Sequence, residues 1–257
     1  MFQAGRFDVE AFEEGLIALG DEQGSVFVLL NFPCQNPTGY SLDENEWTQV
    51  TEVLGRALDR FPVTLLMDVA YAEYAPAGAA DWTRHFEALI PRMPLLVAWS
   101  ASKTYAQYGA RVGALIATVH DPDERQRVLN AMTYSCRGTW SNCNHLGLLA
   151  VADLLEDPTR AQAVVEERAK LIASMGERVD AFNTAAVDAG LIYPRYEAGF
   201  FVTVFTDQPE EAARQCRKDG VFVVPIQGAL RVGLCATPQS SIQRLVESLA
   251  RGIAAAR

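Results

Sequence analysis

Four runs of consecutive apolar residues, set apart by more polar, helix-like stretches, constrain this chain more than any other feature. They are Val26-Phe27-Val28-Leu29-Leu30, Val63-Thr64-Leu65-Leu66-Met67, Leu95-Leu96-Val97-Ala98-Trp99 and Ala114-Leu115-Ile116-Ala117-Thr118-Val119. A strand with one wet face alternates apolar and polar side chains. Runs without alternation fit strands buried on both faces, as in a mostly parallel sheet covered by helices. Between the first two runs, Ser41-Leu42-Asp43-Glu44 has capping-box spacing. After it Trp47, Val50, Val53, Leu54, Ala57 and Leu58 recur at three- and four-residue steps, on one helix face. Strand, amphipathic helix and strand make a βαβ unit, so an α/β class is expected. Asp121-Pro122-Asp123-Glu124 reads as another helix start, with Asp as cap and Pro at the first helical position.

From about Thr159 to Ala189 a longer helical pattern runs through Val164, Leu171, Ile172, Met175, Val179, Phe182 and Ala186, and Gly190 closes it. That exceeds the usual globular helix, so it is expected to bridge two domains. Beyond it, Gly199–Phe205, Val221–Val224 and Leu230–Leu234 read as short strands. Helices are expected between the first two and after Thr237-Pro238. The expected division is 1–170 for a large α/β domain and 171–257 for a small α+β domain.

Composition removes several function classes. Lys and Arg number 22 against 32 Asp and Glu, a net charge of −10 that argues against a nucleic-acid partner. No apolar run reaches the length of a membrane helix, and the first eight residues lack the apolar core of a signal peptide, so neither secretion nor membrane insertion is expected. Cys34, Cys136, Cys143, Cys216 and Cys235 form no CxxC pair and read as reduced thiols in a cytoplasmic protein. His85, His120 and His145 lie far apart, and no metal site is expected.

In open α/β sheets ligands bind beyond the carboxyl ends of the strands. Asn36-Pro37-Thr38-Gly39 follows the first run, and Asp68 and Tyr71 follow the second. Ser100-Ala101-Ser102-Lys103 follows the third, with Arg111 eight residues later, and Arg231 falls in a strand of the small domain. Each has a bland reading: a Pro-Gly turn, a capping acid, a solvated lysine, an arginine paired at an edge. An amide, an acid, a phenol, a lysine and two arginines at the ends of successive strands are harder to explain blandly.

These residues, with Arg137-Gly138-Thr139-Trp140-Ser141-Asn142, resemble the signature of the fold-type I pyridoxal-phosphate aminotransferases of the aspartate, tyrosine and aromatic subgroup (class I/II). The resemblance implies the pyridoxal-phosphate transferase fold, with an incomplete large cofactor-binding domain, and pyridoxal 5′-phosphate as cofactor. It implies that Lys103 forms the Schiff base and then shuttles the proton. It also implies that Asp68 pairs with the pyridinium nitrogen, that Asn36 and Tyr71 bond the ring's phenolic oxygen, and that Ser100, Ser102 and Arg111 hold the phosphate. Arg231 would clamp the substrate α-carboxylate. Arg137 would reach a neighbouring subunit's site for a second carboxylate, its bland alternative being a helix-end arginine.

The activity implied is ping-pong transfer of an amino group between aspartate or an aromatic amino acid and 2-oxoglutarate, in a homodimer when complete. The family's domain begins well upstream of Asn36, whereas this sequence places only 35 residues before it. An upstream phosphate-binding helix start and a ring-stacking aromatic residue are therefore expected to lie outside it. The alternatives are an inactive or partly active fragment, a pyridoxal-phosphate lyase of the same fold, or a ligand-sensing regulator module.

Overall fold

A computed structural model describes residues 1–75, 79 and 81–256. A small hairpin, β1 (Phe2–Gln3) with β2 (Arg6–Phe7), leads into helix α1 (Val9–Gln23), capped by Asp8. The expected βαβ unit follows as β3 (Val26–Asn31), α2 (Glu44–Leu58) and β4 (Val63–Asp68), with β3 and β4 parallel. Next come β5 (Leu95–Ser100), the single turn α3 (Ala101–Thr104) and β6 (Gly113–Thr118), which complete a sheet of order β3-β4-β5-β6. Helices α4 (Pro122–Thr139), α5 (His145–Glu156) and α6 (Pro158–Asp188) succeed it. The remainder is β7 (Phe201–Phe205), α7 (Pro209–Lys218), β8 (Val224–Ile226), β9 (Ala229–Gly233) and α8 (Ile242–Ala255). Its antiparallel sheet has the order β7-β9-β8.

Two apolar cores result. In the first, Val26, Val28 and Leu30 of β3 pack with Val63, Leu65 and Met67 of β4 beneath Trp47, Val50, Val53, Leu54 and Ala57 of α2. Each of these Val, Leu and Met side chains withdrawn from water stabilises the fold by roughly 1.5–3 kcal/mol. The second gathers Val179, Phe182 and Ala186 of α6 with Val202, Val204, Leu230 and Val232 of the small sheet and Leu245 and Leu249 of α8.

The structure corrects several expectations. The capping box lies two residues further on: Asp43 caps α2 and exchanges hydrogen bonds with Glu46, because the helix starts at Glu44. The Ser41 hydroxyl instead accepts from the Cys34 amide at 3.0 Å. The first and fourth runs are not buried on both faces. Phe27 and Leu29 of β3 are each 56% exposed and Ile116 of β6 is 51% exposed, because α1 and α2 cover only one face and β6 lies at the sheet edge.

β6 also runs antiparallel to β5, pairing Ser100 with Gly113. In the second unit the pairing of β8 starts at Val224 rather than Val221. Val221 and Val223 are buried in an unpaired approach after the left-handed Gly220. Along α6, Leu171 and Ile172 are exposed, and only the half from Met175 onward meets a core.

An ion cluster joins the two units. Arg195, just before β7, donates to the Ser41 carbonyl at 2.6 Å, to Asp43 at 2.9 Å and to Glu46 at 2.7 Å, and lies over the Tyr40 ring at 4.7 Å. The Glu46 side chain is only 4% exposed, so this charge-assisted contact carries the desolvation of a buried carboxylate.

Candidate active site

The βα architecture places polar residues where the apolar runs end. Asp68 closes β4, and its Oδ1 accepts from the Ala70 amide at 3.0 Å, which fixes the turn toward Tyr71. Neighbouring β3 ends at Asn31, whose side chain donates to the Asp68 carbonyl at 3.1 Å and accepts from the Asn36 amide at 2.7 Å. Asn31 thus ties the Asn36 loop to the end of β4. The small unit clamps the same loop from the other side: the Thr203 hydroxyl of β7 donates to the Pro37 carbonyl at 2.9 Å.

Ser100 caps α3, its hydroxyl accepting from the Ser102 amide at 3.1 Å, and the turn presents Lys103. The Lys103 ammonium nitrogen lies 5.4 Å from the Tyr71 ring centroid and 5.1 Å from that of Tyr108. Arg111 donates to the Tyr108 carbonyl at 2.8 Å and to the Ser102 hydroxyl at 3.4 Å. The antiparallel course of β6 is what allows this. Arg111 precedes β6, so a parallel β6 would have carried it to the far end of the sheet.

Burial pushes the Tyr71 hydroxyl above the ordinary phenol range. The Asp68 charge adds to the shift, while a hydrogen bond with the Asn36 side chain and the Arg231 charge oppose it. The Tyr71 ring also lies 6.4 Å from that of Phe201 in the small unit. Arg231 lies in β9, the middle strand of the small sheet, so it is not an edge arginine, and its guanidinium is 4.8 Å from the Phe201 ring.

Among the described residues, Lys103, Arg111 and Arg231 take part in no ion pair with a carboxylate. Three cations held together without carboxylate partners suit an anionic ligand. A cavity of about 300 Å³ adjoins Lys103 and Ser102, bounded by Ser174, Met175 and Arg178 of α6 and by Phe200.

The fold therefore brings Asn36, Asp68, Tyr71, Ser100, Ser102, Lys103, Arg111 and Arg231 to one end of the large sheet. It does not bring Arg137 there within one chain. Arg137 sits in the last turn of α4 and donates to the Ser141 carbonyl at 3.0 Å and to its hydroxyl at 3.2 Å.

The comparisons decide the family. Residues 4–249 match the family described as aminotransferase class I and II. The chain belongs to that family. A tyrosine aminotransferase of Klebsiella pneumoniae is 31% identical over 226 residues, which are 86% of this chain and 55% of that protein. The solved aminotransferase of Anaerococcus prevotii is 28% identical with a TM-score of 0.91, over 98% of this chain and 62% of that one. An aromatic-amino-acid aminotransferase of Burkholderia pseudomallei, solved covalently bound to pyridoxal phosphate, is 25% identical with a TM-score of 0.71. That match covers 96% of this chain and 62% of that one. The chain thus spans about 55–62% of the length of these relatives. As an aminotransferase-family chain, it carries the α/β sheet and the small antiparallel domain of its solved neighbours.

Sequence reasoning missed Asn31, Tyr74, Tyr108 and Phe200. Asn31 had a signal, being the polar residue that ends an apolar run. Tyr74 and Tyr108 had only proximity to Tyr71 and Lys103. Phe200, 5.4 Å from the Tyr71 ring and 4.8 Å from the Tyr74 ring, had none, because small-unit packing alone delivers it.

Proposed function

We propose that this chain carries the greater part of a pyridoxal-phosphate aminotransferase active site, which moves an amino group between aspartate or an aromatic amino acid and 2-oxoglutarate. The observation that supports it best is the convergence of Lys103, Asp68, Tyr71 and Arg231, where the cations lack carboxylate partners. The donor set fits the cofactor. The Lys103 amine suits an aldehyde, Asp68 a protonated ring nitrogen, Asn36 with Tyr71 a phenolate oxygen, and Arg111 with Ser100 and Ser102 a phosphate. When bound, pyridoxal phosphate supplies the aldehyde and the electron-accepting ring.

The chain's own residues do the rest. Lys103 holds and returns a proton at its amine nitrogen, a task no permanently charged arginine could perform. Burial and Asp68 hold the Tyr71 hydroxyl above the ordinary phenol range, which favours its protonated form, and so it donates a hydrogen bond rather than repelling an oxyanion. Arg231 orients a substrate carboxylate through two parallel N–H donors, which sets the direction of the neighbouring C–H bond. Arg137 reads a second carboxylate across a homodimer interface, a reading that the exposure of the apolar Trp140 and Leu146, close to it in sequence, supports. The scattered unpaired cysteines support a cytoplasmic setting.

Borohydride reduction of the protein mixed with pyridoxal phosphate, followed by peptide mapping, tests the reading. Label on Lys103 is expected, with keto-acid formation from aspartate or tyrosine in the presence of 2-oxoglutarate once the phosphate-binding helix start and stacking ring named above are supplied. Label on another lysine removes the assignment.

A further inference from the structure

The exposed half of α6 makes one contact that its surroundings do not require. Leu171 and Ile172 face solvent there, yet the Arg168 side chain is only 16% exposed. Its guanidinium pairs with Glu73 at 3.0 Å and donates to the Thr104 carbonyl at 3.4 Å, the residue after Lys103. Buried Tyr74, next to Glu73, donates to the Lys103 carbonyl at 3.1 Å. The open carbonyl end of the one-turn helix α3, too short to hold itself, is therefore gripped by a phenol and a guanidinium.

Ten residues along α6, Arg178 donates to the carbonyls of Leu234 at 3.2 Å and Cys235 at 2.7 Å, just beyond Arg231. A helix rises 1.5 Å per residue, so these two grips stand about 15 Å apart on one stiff rod.

We propose that Arg168 and Arg178 are positioning residues, and that α6 fixes the spacing of Lys103 and Arg231 by holding the backbone beside each. The inference rests on the assignment of Lys103 to the cofactor and of Arg231 to a substrate carboxylate. Arg168 acts through the Thr104 carbonyl and Arg178 through those of Leu234 and Cys235.

The full chain, mixed with pyridoxal phosphate over a concentration series, is trapped with borohydride and mapped, and the loaded protein is titrated with succinate by calorimetry. R168M should raise the pyridoxal-phosphate concentration for half-labelling of Lys103 by about tenfold, the loss of one charge-assisted hydrogen bond, and should shift the pH profile of labelling. R168K, which keeps the charge but has a single nitrogen, should recover part of it. Y74F, which removes one oxygen and keeps the ring, should act in the same direction as R168M with little change in unfolding midpoint.

R178M should weaken succinate binding by a larger factor than it changes the half-labelling of Lys103. If the arginine variants lower the unfolding midpoint but leave half-labelling, its pH profile and succinate binding at wild-type values, α6 is only a structural support and the inference fails. Equal damage by R168M and R178M to both readouts also overturns it. Label away from Lys103 in the unaltered protein overturns the parent assignment and this inference together, and is distinguishable because it needs no variant.

Discussion

Replacing Gly39 with alanine perturbs the seam on which the site depends. Gly39 has φ +72°, a left-handed conformation that costs an L-residue roughly 1–2 kcal/mol. A Cβ there would also stand 2.3 Å from the Phe201 carbonyl oxygen and 2.3 Å from the Tyr196 ring. Neither neighbour can yield cheaply. Phe201 is locked in β7 opposite Gly233, and the Tyr196 ring is buried with its hydroxyl donating to the Gly199 carbonyl at 2.8 Å.

Overpacking of this kind adds about 1–3 kcal/mol, so Gly39→Ala should destabilise the protein by roughly 2–5 kcal/mol in all. Gly24 supplies the control, with φ +73° and open space around its Cβ position. Gly24→Ala should therefore show the backbone cost alone, about 1–2 kcal/mol. Urea unfolding of both variants, compared at midpoint and slope, measures the difference. Equal destabilisation by the two substitutions would refute the docking of the Asn36 loop on β7.

In the complete enzyme, Arg137→Ala should reduce kcat/KM for aspartate and glutamate by about 2–5 kcal/mol while sparing phenylalanine, whereas Arg231→Ala should harm all donors alike. Steady-state kinetics of both variants with each donor tests both, and a uniform loss for Arg137→Ala would return it to the helix-end role that its Ser141 contacts describe. Burial pushes the Cys34 thiol up to about 12, so a thiol reagent at pH 8 should modify exposed Cys143 and leave Cys34 untouched in the native protein. Burial and the Glu46 carboxylate raise Tyr40 to about 12, above an unfolded phenol near 10. Its contribution is whole below about pH 10 and is lost as pH climbs toward 12. Tyr40→Phe should flatten the alkaline limb of the stability profile, and an unchanged limb in urea titrations would remove Tyr40 from that role.

What the sequence made legible follows from which interactions are local. The face of α2 was readable because helical spacing is fixed by backbone geometry, and Trp47, Val50, Val53, Leu54 and Ala57 are indeed buried together. Lys103, Asp68 and Asn36 were readable because each follows an apolar run, and a parallel sheet aligns the ends of such runs. The direction of β6 was not readable, since an apolar run carries no sign of its sense. Its sense is set by the path of residues 105–112 through a left-handed Arg111. Nor did the runs disclose which face would be covered. In β3, Val28 and Leu30 are buried while Phe27 and Leu29 are bare, a difference decided by α1 and α2 and not by composition.

The site is therefore a product of seams more than of elements. Asp68 ends β4 and is placed by strand pairing, whereas Lys103, in the single turn after β5, also depends on the Tyr74 and Arg168 contacts to the end of that turn. Arg231 and Phe200 belong to the small unit, and their relation to Tyr71 depends on the few contacts that cross between units. Among those are the Thr203 bond to Pro37, the packing of Gly39 on Phe201, and the Arg195 cluster on Asp43 and Glu46. Two of the three involve polar groups at least partly withdrawn from water, where losing one partner strands the other at a cost of about 1–3 kcal/mol, more for a charge. Substitutions at these seams should thus separate stability from site geometry. Each unit keeps its own apolar core, while the distance from Arg231 to Lys103, which the proposed substrate must match, loses these ties.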